Sequence, residues 1–334
     1  MIFQPAIIAL LLAASLSLFM LLAAAPFAVR VIRHWDIRSG SERQLKLERL
    51  TYLFSTLIAF VCVLQILAAL LFVFNADKLS VMFVGAMCAV GALNVNEFGF
   101  PALYAQLTLF FLASIWLIIN HADSQARDYP LVRLKYALLL AAIPLFALSL
   151  WLQWRYFSGL KADVITSCCG SMFSEGAANV ASEVAAWDAK PAMLAFYGAL
   201  SGAFGIALWH GRRRDDASGF ALGAAGLCAF VAAIVGILAF VSLYVYEHPH
   251  HHCPFCLLKP EYDYQGYWLY LPLFVATAAA LGAGALRFFS RRPSLIRVVP
   301  TLTGRLAWVA AGGYGAFLLV ASFMVITSRL ALFE

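Results

Sequence analysis

The sequence predicts an all-α integral membrane protein of about eight transmembrane helices, and three observations carry that prediction. Hydrophobic residues make up 63% of the 334 positions and charged residues 12%, with a mean hydropathy of +0.86. Ordinary soluble domains carry about 25% charged residues. Several apolar runs reach the roughly 20 residues that cross a bilayer's hydrocarbon core as a helix. The basic residues also concentrate in alternate connections between those runs.

The runs lie near 5–29, 50–74, 100–120, 131–155, 191–210, 218–245, 267–287 and 304–328. The first passes through Ala23-Ala24-Ala25, as a signal peptide's cleavage site would. It is long for that role, and MIFQP carries no positive charge, so a retained helix is expected. Residues 81–96 are apolar but short and rich in Gly and Asn, which predicts a re-entrant or surface segment rather than a crossing. Asn94, Asn96 and Glu97 could line a cavity there, or form a polar turn into the next helix.

The connections Arg30 to Arg49, Arg127 to Lys135, Arg212 to Arg214 and Arg287 to Arg305 hold 17 of the 23 basic residues. The positive-inside rule makes those four connections cytoplasmic, with both termini on the other side. The net charge of +6 thus follows the membrane rather than a nucleic-acid partner. The plainest setting is a bacterial inner membrane with the cysteine-bearing loops on its periplasmic face. No charge is expected deep in a span, which argues against a proton-coupled carrier. P-loop, GxGxxG, HExxH and GxSxG patterns are missing, so a nucleotide-driven pump or ordinary hydrolase lacks support.

The organisation predicted is a first four-helix half at 1–156, an outer loop at 157–190, and a second four-helix half at 191–334. MCAVGALNVNEFGFPALY and FCLLKPEYDYQGYWLYLP align Cys88 with Cys256, which suggests a tandem repeat about an axis along the membrane normal. In the outer loop, Phe173, Ala177, Val180, Val184 and Trp187 recur at helical spacing. A short amphipathic helix is expected there, on the membrane surface or over the outer loops, directly after Cys168 and Cys169.

Seven cysteines divide by depth. Cys62 and Cys228 fall mid-span, where a thiol is a small hydrophobe. Cys88, Cys168, Cys169, Cys253 and Cys256 are expected outside, where disulfides persist, and Cys88 is expected to be the odd thiol. Cys253-Pro254-Phe255-Cys256 has thiol-exchange spacing, with proline suited to a helix start. The helix dipole and imidazolium groups at His250, His251 and His252 would favour a thiolate at an exposed Cys253. Attack by that thiolate would pass through a mixed disulfide.

This CPFC resembles the active-site pair of thioredoxin-like proteins. The arrangement as a whole is similar to membrane disulfide oxidoreductases of the DsbB and vitamin K epoxide reductase type. The resemblance implies a first pair at Cys253/Cys256, a second at Cys168/Cys169, and a quinone. Those families use a four-helix core, and their second pair is not adjacent. If a quinone binds, the aromatic stretch Tyr262, Tyr264, Tyr267, Trp268 and Tyr270 could border its cleft; otherwise it is an interfacial belt.

The leading expectation is therefore a membrane thiol–disulfide oxidoreductase, with a periplasmic thiol protein or another membrane subunit as partner. Cys253 is nucleophile, Cys256 resolves, and Cys168/Cys169 exchange with them. A second class is a copper or zinc binding or transport protein using His248, His250, His251, His252, Cys253 and Cys256. A third is a non-catalytic membrane subunit with disulfide-stapled outer loops.

Overall fold

The computed structural model describes residues 2–161, 165–166 and 189–330. It is 81% helical, and no strand occurs among the described residues. Eight helices there are long and apolar enough to cross a bilayer, so the chain is an all-α integral membrane protein. In chain order the helices are α1 Pro5–His34, α2 Glu42–Leu79, α3 Ala89–Leu93, α4 Gly99–Ser124, α5 Val132–Ser158 and α6 Ala189–Arg213. After them come α7 Asp216–Gly236, α8 Ser242–Tyr246, α9 Gln265–Arg287 and α10 Val298–Thr327. A π-helical stretch, Ile237–Val241, joins α7 to α8 in one continuous span.

Helix α2 begins eight residues before its apolar run. Glu42 to Arg49 is built of good helix formers (Glu, Gln, Leu, Lys and Arg), so the helix extends into the polar layer. Residues 81–96 do not cross. Ser80–Met82 makes a tight 3₁₀ turn, and α3 follows as five wholly buried residues with Cys88 at its N-cap.

The chain divides into two compact units. One comprises Met1–Ala76, Val95–Val164 and Arg291–Val298. In it α1 and α4 both pack on α5. Phe27 of α1 stacks on Phe54 of α2 at 4.4 Å and meets Tyr136 of α5 edge-on at 5.5 Å. Some of its buried polar groups are satisfied in pairs, as lipid favours. Gln65 donates to Gln106, and at the α4–α5 turn Lys135 meets Asp123 at 2.9 Å with both side chains buried. Asn96 donates to the Tyr156 carbonyl and accepts from the Phe98 amide, so it forms a turn into α4. It also lines a small cavity of about 260 Å³ with Phe98, Trp154 and Arg155. Glu97 is exposed.

The other unit comprises Asp77–Asn94, Ile165–Ser290 and Val299–Glu334. There α7 packs on both α6 and α9. A Cβ on Gly223 would lie 3.1 Å from the Gly284 backbone, so α7 and α9 touch main chain to main chain. Close packing of this kind replaces the hydrophobic driving force that lipid does not provide. Arg287, buried at the end of α9, donates to Asp216, to the Arg214 carbonyl and to Thr303. Cys62 is buried in its unit, while Cys228 is exposed on α7. Cys168, Cys169 and the expected helix over 173–187 lie outside the described residues.

Candidate thiol site

Three sulfurs converge in the second unit. Cys88, Cys253 and Cys256 are all buried, and their Sγ atoms lie within 4.8 Å of one another. The Cys88 and Cys253 sulfurs are 3.2 Å apart, and Cys253 also shares a hydrogen bond with Cys256. Cys253 is thus in contact with both other sulfurs. Cys88, expected to be the odd thiol, carries no disulfide among the described residues but lies against Cys253.

Two local elements set the geometry. After α8 the chain turns at Glu247 through a left-handed conformation, runs through the histidines, and makes the 3₁₀ turn Cys256–Leu258. The amides of Leu258 and Lys259 donate to the carbonyls of Phe255 and Cys256, each at 3.0 Å. This folds CPFC back so that the Phe255 amide also reaches the Cys253 sulfur. Helix α9 then approaches closely at Gly266, where a Cβ would lie 2.9 Å from the Leu258 side chain and 3.0 Å from the Leu257 backbone. Any larger residue would push the turn away.

Tyrosines hold the loop from both flanking helices. The Tyr246 hydroxyl donates to the Cys253 carbonyl, and the Tyr270 hydroxyl donates to the Pro254 carbonyl at 2.7 Å. Tyr262 packs on Tyr246 at 4.5 Å. Buried carbonyls without such partners would each cost about 1–3 kcal/mol, which explains why the aromatic stretch here carries hydroxyls.

Cys88 is delivered by separate contacts. The Lys259 ammonium meets Asp77 at 3.3 Å and donates to the Ser80 hydroxyl at 3.2 Å. That ties the CPFC loop to the turn just before Cys88. On the other side, Ile165 bridges to Val84, the Thr166 amide donates to the Val84 carbonyl at 3.0 Å, and its hydroxyl donates to the Gly91 carbonyl at 3.0 Å. Gly85 has φ +84, and a Cβ there would lie 2.1 Å from the Thr166 oxygen. Only glycine permits both the turn and the contact.

The electrostatics differ from the sequence expectation. Cys253 is fully buried rather than exposed. Its thiol is held well above the ordinary thiol range, first by the hydrogen bond with Cys256 and then by burial. Contacts from Cys88 and the Phe255 amide work in the opposite direction. The turn at Cys256–Leu258 has only three residues, too few for a helix dipole to act as proposed. Burial also works against positive charge at His251 and His252, since desolvation lowers the pKa of both.

The histidines also face elsewhere. His251 stacks on Tyr246 at 4.0 Å. His252 Nδ1 donates to the Leu238 carbonyl at 2.8 Å, in the π-helical stretch, whose wider turn redirects main-chain carbonyls. His248 and His250 pair ring to ring at 6.0 Å. Among the described residues, the metal-ligand grouping contains three cysteines and no histidine. Of the predicted His/Cys set, Cys253 and Cys256 fall in this grouping, joined by Cys88.

A groove of about 730 Å³ lies nearby, lined by Tyr244, Glu247, Gln265, Trp268, Phe323 and Ser328 among others. None of its lining residues is a cysteine. Tyr246 and Tyr270 face the CPFC loop, whereas Tyr244 and Trp268, each two residues away, face the groove. Two residues along a helix is about 200° of rotation.

No protein-family description, curated protein or solved structure matches the chain.

Proposed function

We propose that the protein is a membrane thiol–disulfide oxidoreductase centred on Cys253, with Cys88 and Cys256 as its two alternative partners. The observation that carries this reading is the contact of Cys253 with two other sulfurs, one of them 3.2 Å away. A disulfide needs about 2.05 Å, so roughly 1 Å of side-chain movement closes the Cys88–Cys253 bond from 3.2 Å, and the Cys256 sulfur lies within 4.8 Å of both. Three thiols with one shared member hold one disulfide and one free thiol, and the free thiol can attack the existing bond.

In the exchange step, the thiolate of Cys256 attacks the Cys253 sulfur of a Cys88–Cys253 bond. The Cys253–Cys256 bond forms as the Cys88 thiolate leaves and takes up a proton. Net oxidation of the centre transfers two electrons and two protons to the disulfide of a thiol partner, which becomes a dithiol. Cys168/Cys169 is the partner pair within this chain. Thr166 lies two residues before Cys168 and is fixed to the segment that bears Cys88. The basic connections favour a cytoplasmic face opposite the sulfurs, which supports a periplasmic exchange partner in a bacterial inner membrane.

Acid quenching, alkylation and peptide mass spectrometry of the full chain test the proposal. Poising it between reducing and oxidising dithiol buffers should give Cys88–Cys253 and Cys253–Cys256 linkages whose ratio shifts. A single unvarying linkage at all potentials would instead indicate a structural staple. Cys253 remaining free under oxidising conditions would exclude it from the centre.

A further inference from the structure

We infer that the reduced centre is also a binding site for one soft monovalent cation, Cu(I), held by the thiolates of Cys88, Cys253 and Cys256. Three buried sulfurs within 4.8 Å match the demands of a three-coordinate ion. Metal–sulfur bonds of about 2.3 Å in a trigonal plane place the sulfurs about 4.0 Å apart. The Cys88–Cys253 pair needs to open by less than 1 Å from 3.2 Å.

The donor set selects the ion. Thiolate ligands favour Cu(I) over hard cations. Structural zinc closes its shell with four ligands, and catalytic zinc completes its shell with water. Here the grouped donors are three thiols, and Cys88 and Cys253 are fully inaccessible to solvent, unlike an open, water-bearing zinc site. The Phe255 amide directed at the Cys253 sulfur is an outer-shell donor of the kind that stabilises a bound thiolate. Binding releases thiol protons as Cu–S bonds form.

The release of this ion rests on the disulfide chemistry proposed above, whereas its binding does not. Joining Cys253 to either neighbour removes two of three ligands, and the two electrons pass to the partner disulfide. Oxidation therefore ejects the ion.

The test uses the full chain in detergent, reduced under anaerobic conditions and titrated with Cu(I) against a chromogenic chelator. One Cu(I) per chain with a sulfur-only shell in X-ray absorption is expected. Cys88→Ser and Cys256→Ser should each weaken binding by about a hundredfold or more, at least the loss seen for outer-shell changes. His248→Ala and His250→Ala should leave it unchanged. The oxidised wild-type chain should not bind, a control that requires no folding-competent variant. Failure of the reduced chain to bind, nitrogen in the shell, or tighter retention of Zn(II) would overturn the site. Mass-spectrometric mapping of the same samples reports whether disulfides still form, so loss of the copper site and loss of the redox reading are separable.

Discussion

Cys88 and Cys253 stand 165 positions apart in the chain, yet their sulfurs lie 3.2 Å from each other inside one compact unit. Cys88 arrives at the start of a five-residue helix and Cys253 in a loop hung from two tyrosine hydroxyls. Bringing both to one point requires separate fixings on each segment, and each fixing can be removed singly.

The pH dependence of Cys253 reactivity follows from its neighbours. Its pKa is raised above the ordinary value of 9.0, so its iodoacetamide rate should still be climbing past pH 9. Cys256→Ala removes the largest raising cause and should move the profile down. Cys88→Ala removes a lowering contact and should move it up. The linked stability has a definite sign. It is fully present below pH 9 and declines above, as the unfolded thiol ionises and the folded one does not. A rate plateau below pH 8 would contradict the buried, neutral thiol.

Lys259 links the two cysteine segments through Asp77 and Ser80. Both ends of the ion pair are mostly buried, so hydrogen bonds to charge of about 1.5–3 kcal/mol are at stake. Lys259→Met keeps the stem and removes the charge. It should lower the thermal midpoint and reduce the yield of Cys88–Cys253 cross-link relative to Cys253–Cys256. An unchanged cross-link ratio would mean that Lys259 does not position Cys88.

Much of the architecture is legible in the sequence because a membrane helix is a local statement. Twenty apolar residues span the hydrocarbon wherever they occur, so the eight runs stand out individually. The thiol centre is only partly local. CPFC announces itself, but Cys88 depends on a contact across 165 positions, and its one clue was the alignment with Cys256. The histidines misled for a related reason. Four imidazoles in five positions look like ligands, yet the direction of each ring is set elsewhere. Tyr246 takes His251, and the Leu238 carbonyl, turned by a π-helical stretch that no composition signals, takes His252.

Those two histidines make the loop acid-sensitive. Burial lowers both pKa values from the ordinary 6.5, so the folded loop prefers neutral rings. Their contribution is complete above pH 6.5 and is lost as pH falls, because the unfolded chain binds protons first. The thermal midpoint and the protection of Cys253 from alkylation should both drop as the pH falls below about 6.5. His252→Gln keeps a donor for Leu238 and, combined with His251→Phe, should flatten that slope. Equal slopes in the wild type and the double variant would place the acid response elsewhere.

The last fixing is the contact between Gly85 and Thr166, and two substitutions take it apart. Gly85→Ala forces a left-handed conformation costing about 1–2 kcal/mol. It also drives a methyl group into the Thr166 oxygen, which lies 2.1 Å from the ideal Cβ position. Thr166→Val keeps the shape but removes the hydroxyl donated to Gly91, leaving a buried carbonyl unpaired at about 1–3 kcal/mol. Gly91 lies three residues past Cys88, so both changes disturb the short helix that Cys88 caps. The first acts through the turn before the cysteine and the second through the helix after it. Cross-link mapping should show less Cys88–Cys253 bond in both variants, with the Cys253–Cys256 bond retained because its loop is held by Tyr246, Tyr270 and Gly266. If both variants lose stability while the Cys88–Cys253 yield stays at the wild-type level, the bridge at Val84 and Ile165 serves the fold alone and has no part in aligning the sulfurs.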